Sequence, residues 1–191
     1  MIYCPAMELN STAYVILGLL HKGPKTGYEI KSIVDHSTRF FWAASYGQIY
    51  PELRKLAEAG LIEGTSKPSG GRKRTEYRLT AAGREELRRW LEVEPDVFEL
   101  RDEGLLKLFF AGASPATAAR AIEAKRAYHE EKLRQLREIE PLAKAAPDRF
   151  PYMVLRHGLA LSEFTVGWCD EALAELKDET DAQAAERTRS A

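Results

Sequence analysis

The residues of this chain best suited to chemistry are cations and amides, and they gather in two short stretches. Lys67-Pro68-Ser69-Gly70-Gly71-Arg72-Lys73-Arg74 sets three adjacent cations beside two glycines. Ser45-Tyr46-Gly47-Gln48 sets polar donors and acceptors just ahead of an apolar periodic run. Cations beside glycine can track phosphate oxygens, because a backbone without Cβ atoms can come close to a duplex. A polar first turn of a helix can meet base edges in a major groove, and its free N–H groups can receive a phosphate. Catalytic patterns do not emerge. Gly70-Gly71-Arg72-Lys73 lacks the glycine spacing and the following Lys-Ser/Thr of a nucleotide-binding phosphate loop. His21, His36, His129 and His157 form no pair at helical ligand spacing, and Cys4 and Cys169 lie beside none of them. No metal and no cofactor is expected on that pattern. Without a nucleophile motif there is no ground for an acyl-transfer triad, and the chain does not read as an enzyme.

The elements that must position these stretches follow from periodicity and capping. Thr12 to His21 carries Val15, Ile16, Leu19 and Leu20 at helical spacing, and Lys22-Gly23-Pro24-Lys25 stops it. Thr26-Gly27-Tyr28-Glu29 is a capping box, opening a second helix to about His36 with Ile30, Ile33 and Val34 inward. Ser45-Tyr46-Gly47-Gln48 matches the same pattern and opens a third helix, ended at Gly60. Its apolar face holds Ile49, Leu53, Leu56 and Ala57; its polar face holds Ser45, Tyr46, Gln48, Arg54 and Lys55. Leu61–Ser66 and Thr75–Leu79 read as strands of a hairpin whose extended tip is the basic turn 67–74. Thr80 caps a fourth helix through Trp90 and Leu91.

A helix-turn-helix followed by a basic hairpin is a winged helix, and its physics suits duplex DNA. Ser45, Tyr46 and Gln48 are placed to meet base edges, with Arg54 and Lys55 on phosphates behind them. Of Tyr46 and Tyr50, one can reach phosphate while the other packs beneath the wing. Arg72, Lys73 and Arg74 would track phosphates or probe the minor groove, and Lys25 and Tyr28 stand where such motifs cross the backbone. Plainer roles compete at each position: Ser45 and Gln48 as helix caps, the cations as solvated faces.

Charge divides the same way. Residues 1–91 hold 14 Lys+Arg against 9 Asp+Glu, and residues 92–191 hold 14 against 20, so a basic half precedes an acidic one. The boundary falls at Glu92-Val93-Glu94-Pro95-Asp96. Beyond it a helical domain is expected over residues 97–177, with a frayed or disordered tail over 178–191. Its pieces are a short helix from Leu100 to Ala111, a long one opened by Ser114-Pro115 and interrupted at Pro141, and a last one from about Pro151 to Lys177. The last helix is apolar along two ranks: Val154, Leu161, Phe164, Trp168 and Ala172, and Leu155, Leu159, Val166, Leu173 and Leu176. One rank can pack on its own domain, and the other then calls for a second copy of the chain. Trp90, Phe109, Met153, Phe164 and Trp168 are candidates to line an effector pocket, against a plain core role. No run approaches the roughly 20 apolar residues of a membrane span. The first residues carry no secretory signal, and two motif-free cysteines suit a reduced cytoplasm.

Residues from about Glu8 to Leu91 resemble the PadR family of transcriptional regulators. The matching stretches are Tyr14–Leu20, Thr26–Ile30, Gly47–Leu56 with Gly60-Leu61-Ile62, and Thr75–Gly83. The resemblance suggests Met7 as the natural start, and the length resembles the subfamily with the larger C-terminal domain. It implies a mainly helical fold with a small β-hairpin: an N-terminal winged helix-turn-helix and a C-terminal all-helical dimerisation domain. It further implies a homodimer that binds double-stranded DNA, represses a nearby gene and is released by a small molecule; the twofold symmetry of such a dimer would have it read an inverted repeat. The alternative is a winged helix whose third helix docks a protein.

Overall fold

The computed structural model describes residues 9–38, 41, 46–69, 72–95, 101–114 and 117–189. The chain divides into two compact units, Met1–Val97 and Phe98–Ala191.

The first unit is built on α1 (Ser11–His21), whose Asn10 cap accepts the Ala13 N–H through Oδ1 at 3.0 Å. A two-residue strand, β1 (Lys25–Thr26), leads into α2 (Gly27–His36). The capping box at its start is complete: the Glu29 N–H donates to Thr26 Oγ1 at 3.3 Å, and Glu29 Oε2 accepts the Thr26 N–H at 2.8 Å. After a 3-10 turn at Tyr46–Gln48, α3 runs Ile49–Glu58. The α-helix proper starts at Ile49 behind that turn, with Gln48 as an N-cap that makes no side-chain cap bond; Ser45, and with it the expected second capping box, lies outside the described residues. Gln48 Oε1 accepts from the Thr12 hydroxyl at 3.4 Å, which ties this end of α3 to α1.

β2 (Ile62–Ser69) and β3 (Arg72–Leu79) pair antiparallel from Ile62↔Leu79 to Ser69↔Arg72, and β1 lies on the far edge of β3. The hairpin is therefore longer than expected, since both flanks of the presumed turn belong to the ladder. Lys, Pro, Ser and Arg hide a strand in sequence because ladder bonds run between backbones. Pro68 is tolerated because β2 is an edge strand. α4 (Ala81–Glu92) then opens at Thr80, whose hydroxyl accepts the Gly83 N–H at 3.1 Å. A Cβ on Gly83 would stand 2.0 Å from the Leu61 carbonyl oxygen, so only glycine lets this turn lie against the start of the hairpin. Ile16, Leu17, Ile30, Leu53, Leu56 and their neighbours close one core over all these elements. Burial of each large aliphatic side chain there contributes about 1.5–3 kcal/mol.

The second unit holds α5 (Glu103–Phe109), α6 (Ala118–Ala145) and α7 (Arg149–Arg189). Asp102 caps α5 by accepting the Leu105 N–H at 3.0 Å and pairs with Lys125 of α6. Three features differ from expectation. α6 begins at Ala118 with no side-chain cap rather than at Ser114-Pro115, and Pro115 lies outside the described residues. Pro141 stands inside α6, where the Tyr152 hydroxyl donates to the adjacent Glu140 at 3.2 Å. α7 extends to Arg189, well past Lys177. Ile122, Leu133 and Leu136 of α6 are buried, as are Leu155, Leu159, Ser162 and Cys169 of α7. Gly158 permits close approach, because its Cβ would lie 3.2 Å from Leu136 Cδ1. Among the described residues no helix is long and apolar enough to cross a membrane, and no cluster of His, Cys, Asp and Glu could hold a metal.

Candidate nucleic-acid interface

α3 sorts its residues sharply. Leu53 and Leu56 are wholly buried and Ile49 nearly so, while Gln48, Tyr50, Arg54 and Lys55 are exposed. The described part of the expected polar face is thus solvent-facing, and Ile49, Leu53 and Leu56 secure the helix to the core, whereas Ala57, expected on the apolar face, is exposed. Tyr50 divides its surface: it is 53% exposed, yet a Cβ on Gly27 would stand 2.7 Å from its ring. Its ring therefore packs over the first turn of α2. Tyr28, one residue along α2, is exposed, and Lys25 Nζ donates to the Gly23 carbonyl at 3.1 Å. Ser45 lies outside the described residues, as do the side chains of Tyr46, Arg72 and Lys73.

Arg74 has partners within the fold. Its guanidinium pairs with Glu29 at 3.0 Å and reaches Thr26 Oγ1 at 3.5 Å, joining β3 to the first turn of α2. The same carboxylate closes the capping box, and the Thr26 backbone N–H bond, then the Thr26 hydroxyl, then Arg74 hold Glu29 below the ordinary carboxylate range. Lys55 is also engaged, 3.6 Å from Glu52. Glu52 accepts from Asn10 Nδ2 at 3.1 Å as well. Neither Asn10 nor Glu52 stands out in sequence, because they are 42 residues apart and no local pattern joins them.

Of the residues assigned to an effector pocket, Trp90 stacks on Tyr14 with ring centroids 4.5 Å apart. The Tyr14 hydroxyl donates to Glu86 at 3.1 Å, and burial, followed by that carboxylate, raises its pKa. Phe109, Met153 and Phe164 are exposed within their own unit, and Trp168 is half-buried. Met153 borders an open groove of about 600 Å³ between α6 and α7, beside Arg137, Tyr152, Arg156 and His157.

A helix-turn-helix with an exposed polar helix face and a two-stranded β-ribbon behind it defines a winged-helix transcriptional regulator. Residues 16–89 match the model of the transcriptional regulator PadR-like family, and residues 100–177 match the virulence activator alpha C-terminal family. The chain is 33% identical over 172 residues to the negative transcriptional regulator PadR of Bacillus subtilis, covering 84% of this chain and 94% of that protein. It belongs to the PadR-like family, in the subfamily with the larger C-terminal domain. The structure of Bacillus subtilis PadR in complex with operator DNA superposes with a TM-score of 0.78 at 32% identity, covering 87% of this chain and 99% of that one. The complex of that protein with p-coumaric acid gives a TM-score of 0.74 at 32% identity, covering 88% and 99%.

Proposed function

We propose that two copies of this chain bind an inverted repeat in duplex DNA and repress the adjoining gene. The observation that carries this reading is the solvent-facing Gln48, Tyr50, Arg54 and Lys55 on a helix locked into the core by Ile49, Leu53 and Leu56. The likeness to the operator complex of Bacillus subtilis PadR supports it. Pairing would come through α7. Leu155 and Leu159 are buried against α6, whereas Val154, Leu161 and Phe164 face outward, with Phe164 70% exposed. A second chain covering that seam would bring two recognition helices into one molecule, and successive major grooves of an inverted repeat lie about 34 Å apart. Gln48 and the unit's basic wing would then divide the labour, base edges to the first and phosphates to the second, with Lys25, Tyr28, Arg54 and Lys55 adding backbone contacts. In this reading the protein works in the cytoplasm as a binding protein rather than an enzyme.

Release by a small molecule completes the proposal, and p-coumaric acid is the first ligand to try, given the solved complex of the relative. Phe109, Met153, Phe164 and Trp168 remain its candidate contacts within the second unit. Such a ligand acts by binding one arrangement of the recognition helices better than the other.

Selection of duplexes from a randomised pool tests the DNA reading. A recovered inverted repeat is the expected result. Binding that ignores sequence, or no binding beside capture of a protein by α3, would replace it with the docking-module alternative. Gln48→Ala should cost about 1–3 kcal/mol on the recovered duplex and little on random DNA.

A further inference from the structure

Glu52 is the one charged residue that is buried among the described residues, only 4% exposed, and it sits in the first turn of the recognition helix. A carboxylate taken out of water needs partners or it destabilises its surroundings. Glu52 has two, Asn10 Nδ2 at 3.1 Å and Lys55 Nζ at 3.6 Å. Asn10 works at both ends of its amide: Oδ1 caps α1 by accepting from Ala13, and Nδ2 holds Glu52. Two residues further along, buried Thr12 donates to Gln48 at the N-cap of α3. The starts of α1 and α3 therefore converge on one another. Each start carries the positive end of a helix dipole, and a buried anion between them satisfies both.

We infer that the Asn10–Glu52 contact, supported by Thr12–Gln48, is a clamp that sets the angle of the recognition helix and so determines sequence discrimination. Glu52 and Asn10 are positioning residues: they touch no DNA, and they act by aiming Gln48. This inference rests on the DNA-binding reading above. Apolar packing of Ile49, Leu53 and Leu56 keeps α3 on the core but leaves rotation about that face weakly specified, since oily contacts have no direction. Two polar bonds at one end supply the direction.

The test exchanges the two side-chain chemistries. Asn10→Asp retains an equally good helix cap but turns a carboxylate toward a carboxylate. Adding Glu52→Gln restores a donor–acceptor pair with its polarity reversed. The probes are a duplex recovered by the wild-type protein from a randomised pool and a random-sequence duplex of equal length, with thermal melting alongside. Asn10→Asp should weaken the selected duplex about tenfold, leaving random-duplex affinity and its salt dependence unchanged. The double variant should return to within about twofold of wild type. Equal loss on both duplexes would show a merely structural role and overturn the inference. So would wild-type discrimination in Asn10→Asp, or failure of the double variant to recover while its melting is normal. If the wild-type protein itself recovers no duplex, the DNA-binding reading fails first, a result distinct from all of these.

Discussion

The two units solve the burial problem differently. In the first, α1 to α4 and the hairpin enclose one core, and polar links fasten its rim: Thr80 to Leu61, Arg74 to Glu29, Asn10 to Glu52. In the second, α6 and α7 meet along one side, and apolar bulk remains outside. Phe109, Phe110, Leu142, Phe150, Met153 and Phe164 are all exposed. The first unit closes its core within a single chain, although Phe41, Trp90, Leu91 and Val93 are exposed on it; the second leaves more of its apolar bulk uncovered, as interfaces between copies do. The first can therefore be tuned for recognition, and the second for association.

The largest effect should come from the first unit. Gly83→Ala forces a methyl group against a backbone oxygen that cannot swing away, and should cost about 3 kcal/mol of stability. Denaturant unfolding of the purified protein measures it. Loss confined to Trp90 fluorescence, with α6–α7 helicity retained, would show that the two units unfold apart. Next, Phe164→Asp places a charge in the open seam. It should weaken association by about 2 kcal/mol or more, read by sedimentation, with monomer helicity unchanged. A variant that sediments like wild type would remove α7 from the pairing surface.

Smaller effects sharpen the contrast within the first unit. Changing Arg72 and Lys73 together to alanine should flatten the dependence of log K on log salt by about 0.9 for each phosphate left without its cation. Arg74→Ala, with its partner in Glu29, should instead lower affinity with less change of slope. An equal flattening from Arg74 alone would return it to the phosphate-contacting set.

The smallest effect lies in the second unit and depends on pH. His129 Nδ1 lies 3.3 Å from the buried Ser162 hydroxyl. Burial first, then Lys125 and Lys132, hold its pKa below the ordinary value, against a weaker opposite pull from Asp102. The unfolded chain therefore takes up a proton at higher pH than the folded one. Stability is full above about pH 6.5 and declines as pH falls from there toward the folded pKa. Melting of His129→Gln between about pH 7.5 and 5.5 should show less acid loss than wild type; identical profiles would dismiss His129 as the cause.

What could be read in advance depended on how far apart the partners lie in the chain. The Thr26–Glu29 capping box was legible because both residues sit within one turn. The α3 stripe was legible because Ile49, Leu53 and Leu56 repeat at the helix period. The bond from Thr12 to Gln48 was hidden, because it joins two helices 36 residues apart in the chain. Strand length at the wing was hidden because pairing of Lys67 with Arg74 and Pro68 with Lys73 depends on backbone register rather than side-chain type. Asn10 with Glu52, and Arg74 with Glu29, are tertiary pairs with no local signature. The family resemblance located the α3 face as a candidate interface but did not distinguish residues that would touch DNA from residues that aim them.

The open seam on α7 has a consequence for dosage. Where pairing limits action, operator occupancy at low abundance rises with the square of the number of chains rather than in proportion. Modest changes in synthesis or turnover would then be amplified at the promoter, so a threshold arises from mass action before any ligand intervenes. An unpaired chain meanwhile displays Leu161 and Phe164 to the cell's quality control.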